Sequence, residues 1–366
     1  MRHVDEYRDP ARIKALIAEI SETVSRPWTI MEVCGGQTHT IMKYGLKQIL
    51  PKEITLLHGP GCPVCVTPPA LIDQAIALCQ QPNVTVCTFG DMLRVPGTES
   101  SLALAKARGG DVRIVYSPLD ALALAQAEPK RVIVFFAIGF ETTAPTTALT
   151  VYQAKQAGLN NFTLLVSHVR VPPALTALLN SSDAEMDAFL GAGHVCTVMG
   201  LEEYEPICAH YRIPIIVTGF EPADILEGVL MCVQQLETQR SNLENQYRRA
   251  VTWSGNQAAR SMITNVFEIS DQEWRGIGLI EQSGLRLRPE YAGHDASVRF
   301  ANTLQDQPTA IASNECISGE VLRGRKKPAE CPAFGTRCTP SRPLGAPMVS
   351  SEGACAAYHR YAAVPV

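Results

Sequence analysis

Between residues 28 and 220 the chain repeats one pattern: a short run of apolar and β-branched residues, then a longer stretch with helical spacing. The runs are TIMEVC (29–34), ITLLHG (54–59), VTVCTFG (84–90), VRIVYS (112–117), RVIVFFAIG (131–139), FTLLVSH (162–168), VCTVMG (195–200) and PIIVTGF (214–220). They are almost continuously apolar, as strands covered on both faces must be. Segments between them, such as PPALIDQAIALCQQ and TTALTVYQAKQAG, read as helices. Strand and helix in alternation lead to parallel sheets with crossover helices, so the expected fold class is α/β.

At 366 residues the chain is long enough for two or three domains. Two sheets of four strands are expected, in two similar α/β domains of residues 26–129 and 130–222, divided at the turn AEPKR (127–131). The tripeptide GFE ends a strand at 139–141 and again at 219–221. Each glutamate then lies at the carboxyl end of a parallel strand, where open α/β sheets bind ligands. Beyond 221 the pattern changes. Residues 221–265 read as helical, 276–291 as a β-hairpin or irregular chain, and the Gly-, Pro- and Cys-rich tail from 310 shows little periodicity. Residues 1–25 and 223–366 are expected to form a third, largely helical or irregular domain. Such a tail needs something besides a core to hold it.

The charged N-terminal stretch MRHVDEYRDPARIK does not read as a signal peptide. The apolar run VIVFFAIGF is far shorter than the roughly 20 residues that cross a bilayer. A net charge of −4 gives no general attraction to nucleic acid or an anionic membrane. A cytoplasmic protein is expected, without nucleic-acid or membrane partners. In a reducing compartment, twelve cysteines point to metal binding or redox chemistry rather than structural disulfides.

Four of them, Cys316, Cys331, Cys338 and Cys355, are spaced C-x14-C-x6-C-x16-C in the irregular tail. Four thiolates fit a [4Fe–4S] cluster or a zinc site. Zinc usually takes close cysteine pairs, and none occurs in this block, which favours iron–sulfur; four unrelated thiols are the alternative. Cys62 and Cys65 form a C-x-x-C, with Thr67 expected to cap a helix that starts at Pro68. A helix N-terminus stabilises a thiolate, so the pair reads as a reversible disulfide; half a zinc knuckle or two inert thiols are the alternatives. Cys34 ends the first run and precedes GGQTHT, with a helix expected to start near Thr38 and His39. Its thiolate is a good soft ligand for iron(II), or else a small buried hydrophobe. Cys79, Cys87, Cys196, Cys208 and Cys232 read as core residues, and His168 and His194 as hydrogen-bonded structural residues.

Together MEVCGGQTHT, GPGCPVC, GFETT and the block 316–355 resemble the HypD family of hydrogenase maturation factors, along nearly the whole chain. Gln37 stands where the family commonly has histidine, so an imidazole there is not essential, while His39 remains a candidate. The resemblance implies a scaffold, rather than a plainly enzymatic activity, for building the Fe(CN)2CO unit of [NiFe]-hydrogenases. It implies two similar α/β domains and a third that carries a [4Fe–4S] cluster, with the helix over 10–24 packed on that third domain. It also implies a small HypC-like partner that brings a cysteine, and a HypE-like donor carrying cyanide as a thiocyanate. By position, Cys34 would hold the transient iron, Cys62 and Cys65 would be the redox pair, and Cys316, Cys331, Cys338 and Cys355 would hold the cluster. Glu141 and Glu352 fall in family motifs. A dithiol stores two electrons and a cluster passes one at a time, so a relay toward Cys34 is expected. Rival readings are a stand-alone iron–sulfur thiol–disulfide oxidoreductase, which needs no Cys34, and a zinc-stapled binding module.

Overall fold

The computed structural model describes residues 5–182, 184–305 and 315–361. Its strands are β1 (Trp28–Glu32), β2 (Ile54–His58), β3 (Val84–Thr88), β4 (Val112–Ile114), β5 (Val132–Gly139), β6 (Phe162–His168), β7 (Ala188–Ala192), β8 (Ile215–Thr218), β9 (Leu243–Asn245), β10 (Phe267–Trp274) and β11 (Gly278–Leu287). One parallel sheet has the order β2-β1-β7-β8-β9 and the other β4-β3-β5-β6. The α/β class and the two parallel sheets are as expected.

The strands do not group as expected. After β2 the chain leaves the first sheet, builds β3 to β6 as the second, and returns at β7. The turn at 127–131 therefore leads from the helix Pro118–Ala127 into β5, within the crossover from β4 to β5 of one sheet, rather than dividing two. Alternation of strand and helix announces parallel pairing but says nothing of which strands pair. The seventh strand is AFLGA at 188–192, and the run over 195–200 lies in the helix Gly193–Met199 and the residue after it. Two short apolar runs stand back to back there, and neither has a period that separates strand from helix.

Residues 221–265 hold the helices Pro222–Glu237 and Gln257–Val266 and also β9, which extends the first sheet. The antiparallel hairpin β10–β11 starts nine residues earlier than the stretch expected at 276–291. The helix Pro10–Thr23 packs on Pro222–Glu237, and both cover the first sheet: Leu16 and Ile20 join Ile30, Leu190, Ile216, Val229 and Val233 in one core. In the second sheet, Ile133, Phe135 and Ala137 of β5 face the hairpin and the helix Ala144–Gln156, while Val134 and Phe136 face the other layer. Burial on both faces is what the continuous apolar runs require. Among the described residues no helix is long and apolar enough to cross a membrane. The carboxyl ends of β1, β5 and β7 border a common cavity, which makes that region the first place to look for a site.

Candidate functional site

Cys34 is extended (φ −145°, ψ 126°) and its carbonyl accepts from the N–H groups of Gln37 (2.9 Å) and Thr38 (3.1 Å). The helix that follows begins at Gly35, three residues before the expected start, and runs to Lys43. The two glycines are packing requirements. A Cβ on Gly35 would lie 2.4 Å from Glu352 Cβ, and one on Gly36 would lie 2.9 Å from the Phe220 ring. Gln37 Nε2 donates to Gly191 O (2.9 Å) and Thr218 Oγ1 (2.7 Å), tying the helix to β7 and β8 with no imidazole. Burial, with the carboxylates of Glu352 and Glu32, pushes the Cys34 thiol up to about 12, against the N–H groups of Gly36 and Gln37.

Beneath Cys34 lies a network that the motif reading missed. Glu32 is fully buried and accepts from Cys34 N–H (2.9 Å), the Thr38 hydroxyl and His58 Nδ1 (2.6 Å). A carboxylate only accepts, so Nδ1 carries the proton. The His58 ring meets Tyr358 edge-on at 5.5 Å, and Tyr358 OH accepts from Lys47 Nζ (2.8 Å). Burial lowers Lys47 to about 8. The sequence did carry a signal: Glu32 interrupts the otherwise apolar TIMEVC, and a charge inside a doubly covered strand requires partners.

The Cys-Pro-Val-Cys loop runs directly alongside. Gly59 N–H donates to Glu32 O (2.8 Å), and Gly35 N–H donates to Gly61 O (2.9 Å). A Cβ on Gly61 would stand 2.3 Å from Cys34 N. Cys62 caps its own helical turn, Pro63–Val66; Thr67 ends that turn instead of capping the next helix, which starts at Pro69. Cys62 and Cys65 are joined as a disulfide, and both are buried. They share a core with Val33, Phe140, Cys196 and Trp274, and Cys34 packs against it.

The cavity between the sheet ends holds about 240 Å³ and is lined by Cys34, Gly61, Val64, Thr143, His194 and Glu352, among others. His194, expected to be structural, stacks on Phe220 at 3.7 Å in this wall. Glu141 lies behind the wall. Its Oε1 accepts from Val171 N–H (2.9 Å), its buried Oε2 has no partner, and burial lifts it to about 7. The other glutamate of the GFE pair, Glu221, caps the helix Pro222–Glu237 and is paired with Arg8. His39 is not among the residues that line the cavity; it stands edge-on to Tyr361 at 5.4 Å. His168 is buried with Nε2 at 3.1 Å from Thr147 Oγ1, and Cys79, Cys87, Cys196, Cys208 and Cys232 are buried thiols, all as expected.

Cys316, Cys331, Cys338 and Cys355 line one small pocket with Phe334, Gly345 and Met348. Leu344 N–H donates to Cys338 Sγ (3.3 Å), and a Cβ on Gly345 would lie 2.3 Å from Cys316 Sγ. Burial raises the Cys355 thiol, and the other three cysteines raise it further. Among the described residues no three His, Cys, Asp or Glu side chains form a set for a single metal ion. The turn Ala346–Met348, which lines this pocket, packs on the disulfide's helical turn Pro63–Val66.

The HypD family model, described as the hydrogenase formation hypA family, matches residues 11–362. The chain is 50% identical over 372 residues to the hydrogenase maturation factor HypD of Escherichia coli (strain K12), covering 99% of this chain and 98% of that protein. It is 48% identical over 371 residues to HypD of Rhizobium leguminosarum bv. viciae (99% and 96% covered) and 48% over 370 residues to HypD of Rhodobacter capsulatus (99% and 98%). Identity at this level over nearly the whole chain, with a family model that matches residues 11–362, makes the chain a member of the HypD family of hydrogenase maturation factors.

Proposed function

We propose that this chain is the scaffold on which the Fe(CN)2CO unit of a [NiFe]-hydrogenase is assembled, with the iron held by Cys34 and electrons drawn from the Cys62/Cys65 pair. The observation that carries the reading is the contact between Cys34 and the loop 59–62 at the edge of a 240 Å³ cavity. A thiol pushed up to about 12 stays protonated until a cation arrives. A ferrous ion supplies the opposing charge and displaces the proton, so substrate metal and thiolate appear together. Glu352 adds negative charge on the same wall. Glu141, held near 7, keeps a proton close to the cavity at neutral pH.

Cyanide would come from a HypE-like donor as a thiocyanate. Releasing it breaks the S–C bond and takes two electrons and one proton: R–SCN + 2e⁻ + H⁺ → R–SH + CN⁻. The Cys62/Cys65 dithiol supplies both electrons by closing to the disulfide, which is therefore the spent state. A HypC-like partner would bring the second cysteine to the iron. The other ten cysteines are unpaired thiols, which suits a reducing cytoplasm.

The four tail cysteines fit a [4Fe–4S] cluster. Their thiols share one pocket, an N–H points at Cys338 Sγ, and Gly345 leaves room beside Cys316 Sγ. Bound there, the cluster would supply single electrons. A stand-alone oxidoreductase acting on protein disulfides needs an accessible sulfur, and Cys62 and Cys65 are 3% and 0% exposed.

The test is anaerobic purification with the HypC-like partner co-expressed. Infrared bands of bound cyanide and CO are expected in the wild type and absent in Cys34→Ala. Bands of equal strength in Cys34→Ala would overturn the assignment of the iron to this thiol.

A further inference from the structure

We propose that Arg275 is a positioning residue of the electron relay: its guanidinium sets the potential of the four-cysteine site, and its backbone pins the disulfide's turn beside that site. The proposal rests on the reading of the two sulfur sites given above. Arg275 lies in the connection between β10 and β11, and its backbone N–H donates to Val66 O (2.7 Å), the last residue of the turn that carries Cys62 and Cys65. Trp274, just before it, is buried in the same core as both cysteines. Arg275 Nη1 donates to Pro96 O (2.9 Å), and the Arg275 side chain shares with Cys316 the wall of a cavity of about 630 Å³. The next residue, Gly276, packs backbone to backbone on Gly319: a Cβ on Gly276 would lie 2.7 Å from Gly319 Cα, and one on Gly319 would lie 2.6 Å from Gly276 O. Gly319 follows Cys316 by three residues. The connection thus lies between the disulfide's turn and the segment that follows Cys316.

Arg275 is held in no ion pair among the described residues, although Glu99, Glu273 and Glu320 line the same cavity. Glu320 is engaged by Arg323 and Arg325, and Asp73 accepts from Thr98. Burial lowers the guanidinium, opposed first by Cys316 and then by Asp73. Arginine stays charged in proteins. A cluster held by four thiolates is an anion, and more so when reduced. A fixed cation beside it stabilises the reduced form and raises the potential. The electrons come from a low-potential one-electron donor outside the chain. Two of them, with two protons from water, break the S–S bond and leave two thiols.

The test is an EPR-monitored redox titration of the holoprotein as wild type, Arg275→Lys and Arg275→Gln. Arg275→Gln is expected to lower the reduced-to-oxidised ratio at fixed poise about tenfold, a shift of roughly 59 mV for a one-electron couple. Arg275→Lys, which keeps the charge, is expected near wild type. The bond from the Arg275 N–H to Val66 O needs no side chain and survives in both. An unmoved midpoint in Arg275→Gln, or an equal shift in both variants, overturns the proposal. If Arg275→Gln does not fold, Asp73→Asn removes the opposing carboxylate and should move the midpoint upward; no movement there also overturns it. Wild-type protein without iron and sulfide would instead sink the reading of the four cysteines.

Discussion

Replacing Gly61 by alanine should break the link between the disulfide loop and Cys34. The added Cβ would stand 2.3 Å from Cys34 N, 2.4 Å from Cys34 Cα and 2.5 Å from Val33 C, where ordinary contact begins at 3.4 Å. All three are main-chain atoms at the exit of β1, so no side chain can rotate out of the way. Relief requires a movement of about 1.1 Å, the difference between 3.4 and 2.3 Å. That movement stretches the bond from Gly35 N–H to Gly61 O from 2.9 Å toward 4 Å, beyond hydrogen-bond range. Overpacking of this kind costs roughly 1–3 kcal/mol, and the lost bond about 1 kcal/mol more. Gly61→Ala should therefore lose about 2–4 kcal/mol in anaerobic urea titrations. The same variant should fail to develop the infrared bands of iron-bound cyanide. Gly293→Ala is the control: it is exposed, no atom lies within 4 Å of its Cβ, and the change should stay within about 0.5 kcal/mol. A Gly61→Ala protein within that same margin of wild type would refute the argument that main-chain contact joins the two sites.

Burial lifts Glu141 from the usual 4.5 to about 7, so the folded chain holds a proton that the unfolded chain releases, and stability should fall by on the order of 3 kcal/mol as pH rises through that window. Glu141→Gln keeps an acceptor for Val171 N–H and should flatten the slope; equal slopes in urea titrations of both proteins would overturn this. Gly345→Ala places a Cβ 2.3 Å from Cys316 Sγ and should lower the bound iron and sulfide per chain, as measured by colorimetric analysis, with the fold retained by circular dichroism.

Seven of the eight strand runs were legible because a strand buried on both faces leaves an uninterrupted apolar string, as in VIVFFAIG of β5, all but its first residue buried. The pairing was not legible, since β2 to β3 and β4 to β5 look alike in sequence although only the first connection changes sheets. The cysteine spacings and GPGCPVC pointed to the two places where cysteines gather, the Cys62–Cys65 pair and the four-thiol pocket, because such spacings are local patterns. His39 lies on the helix Gly35–Lys43 that its motif position implies, but its ring stands against Tyr361 and does not line the Cys34 cavity, a direction that spacing alone does not give. Glu32 and His58 are 26 residues apart in sequence, on two strands that pair in register, and no local pattern joins them.

The way the two ends of the chain meet explains why a tail with so little periodicity is tied to a site on the first strand. Cys355, Tyr358 and Tyr361 recur every three residues along the helix Ala354–Tyr361, and residues so spaced share a face. Cys355 lines the four-thiol pocket, Tyr358 meets His58 and Lys47, and Tyr361 meets His39. Glu352, in the turn just before, fills the space that Gly35 leaves and lines the Cys34 cavity. A short helix with only four buried residues has little core of its own to fix its position. Fixing Cys355 in its pocket fixes Tyr358 one turn later, and with it the His58–Glu32 pair that holds the Cys34 amide. The environment of Cys34 is thus completed only when the tail is anchored, so the packing of the four-thiol pocket reaches it mechanically.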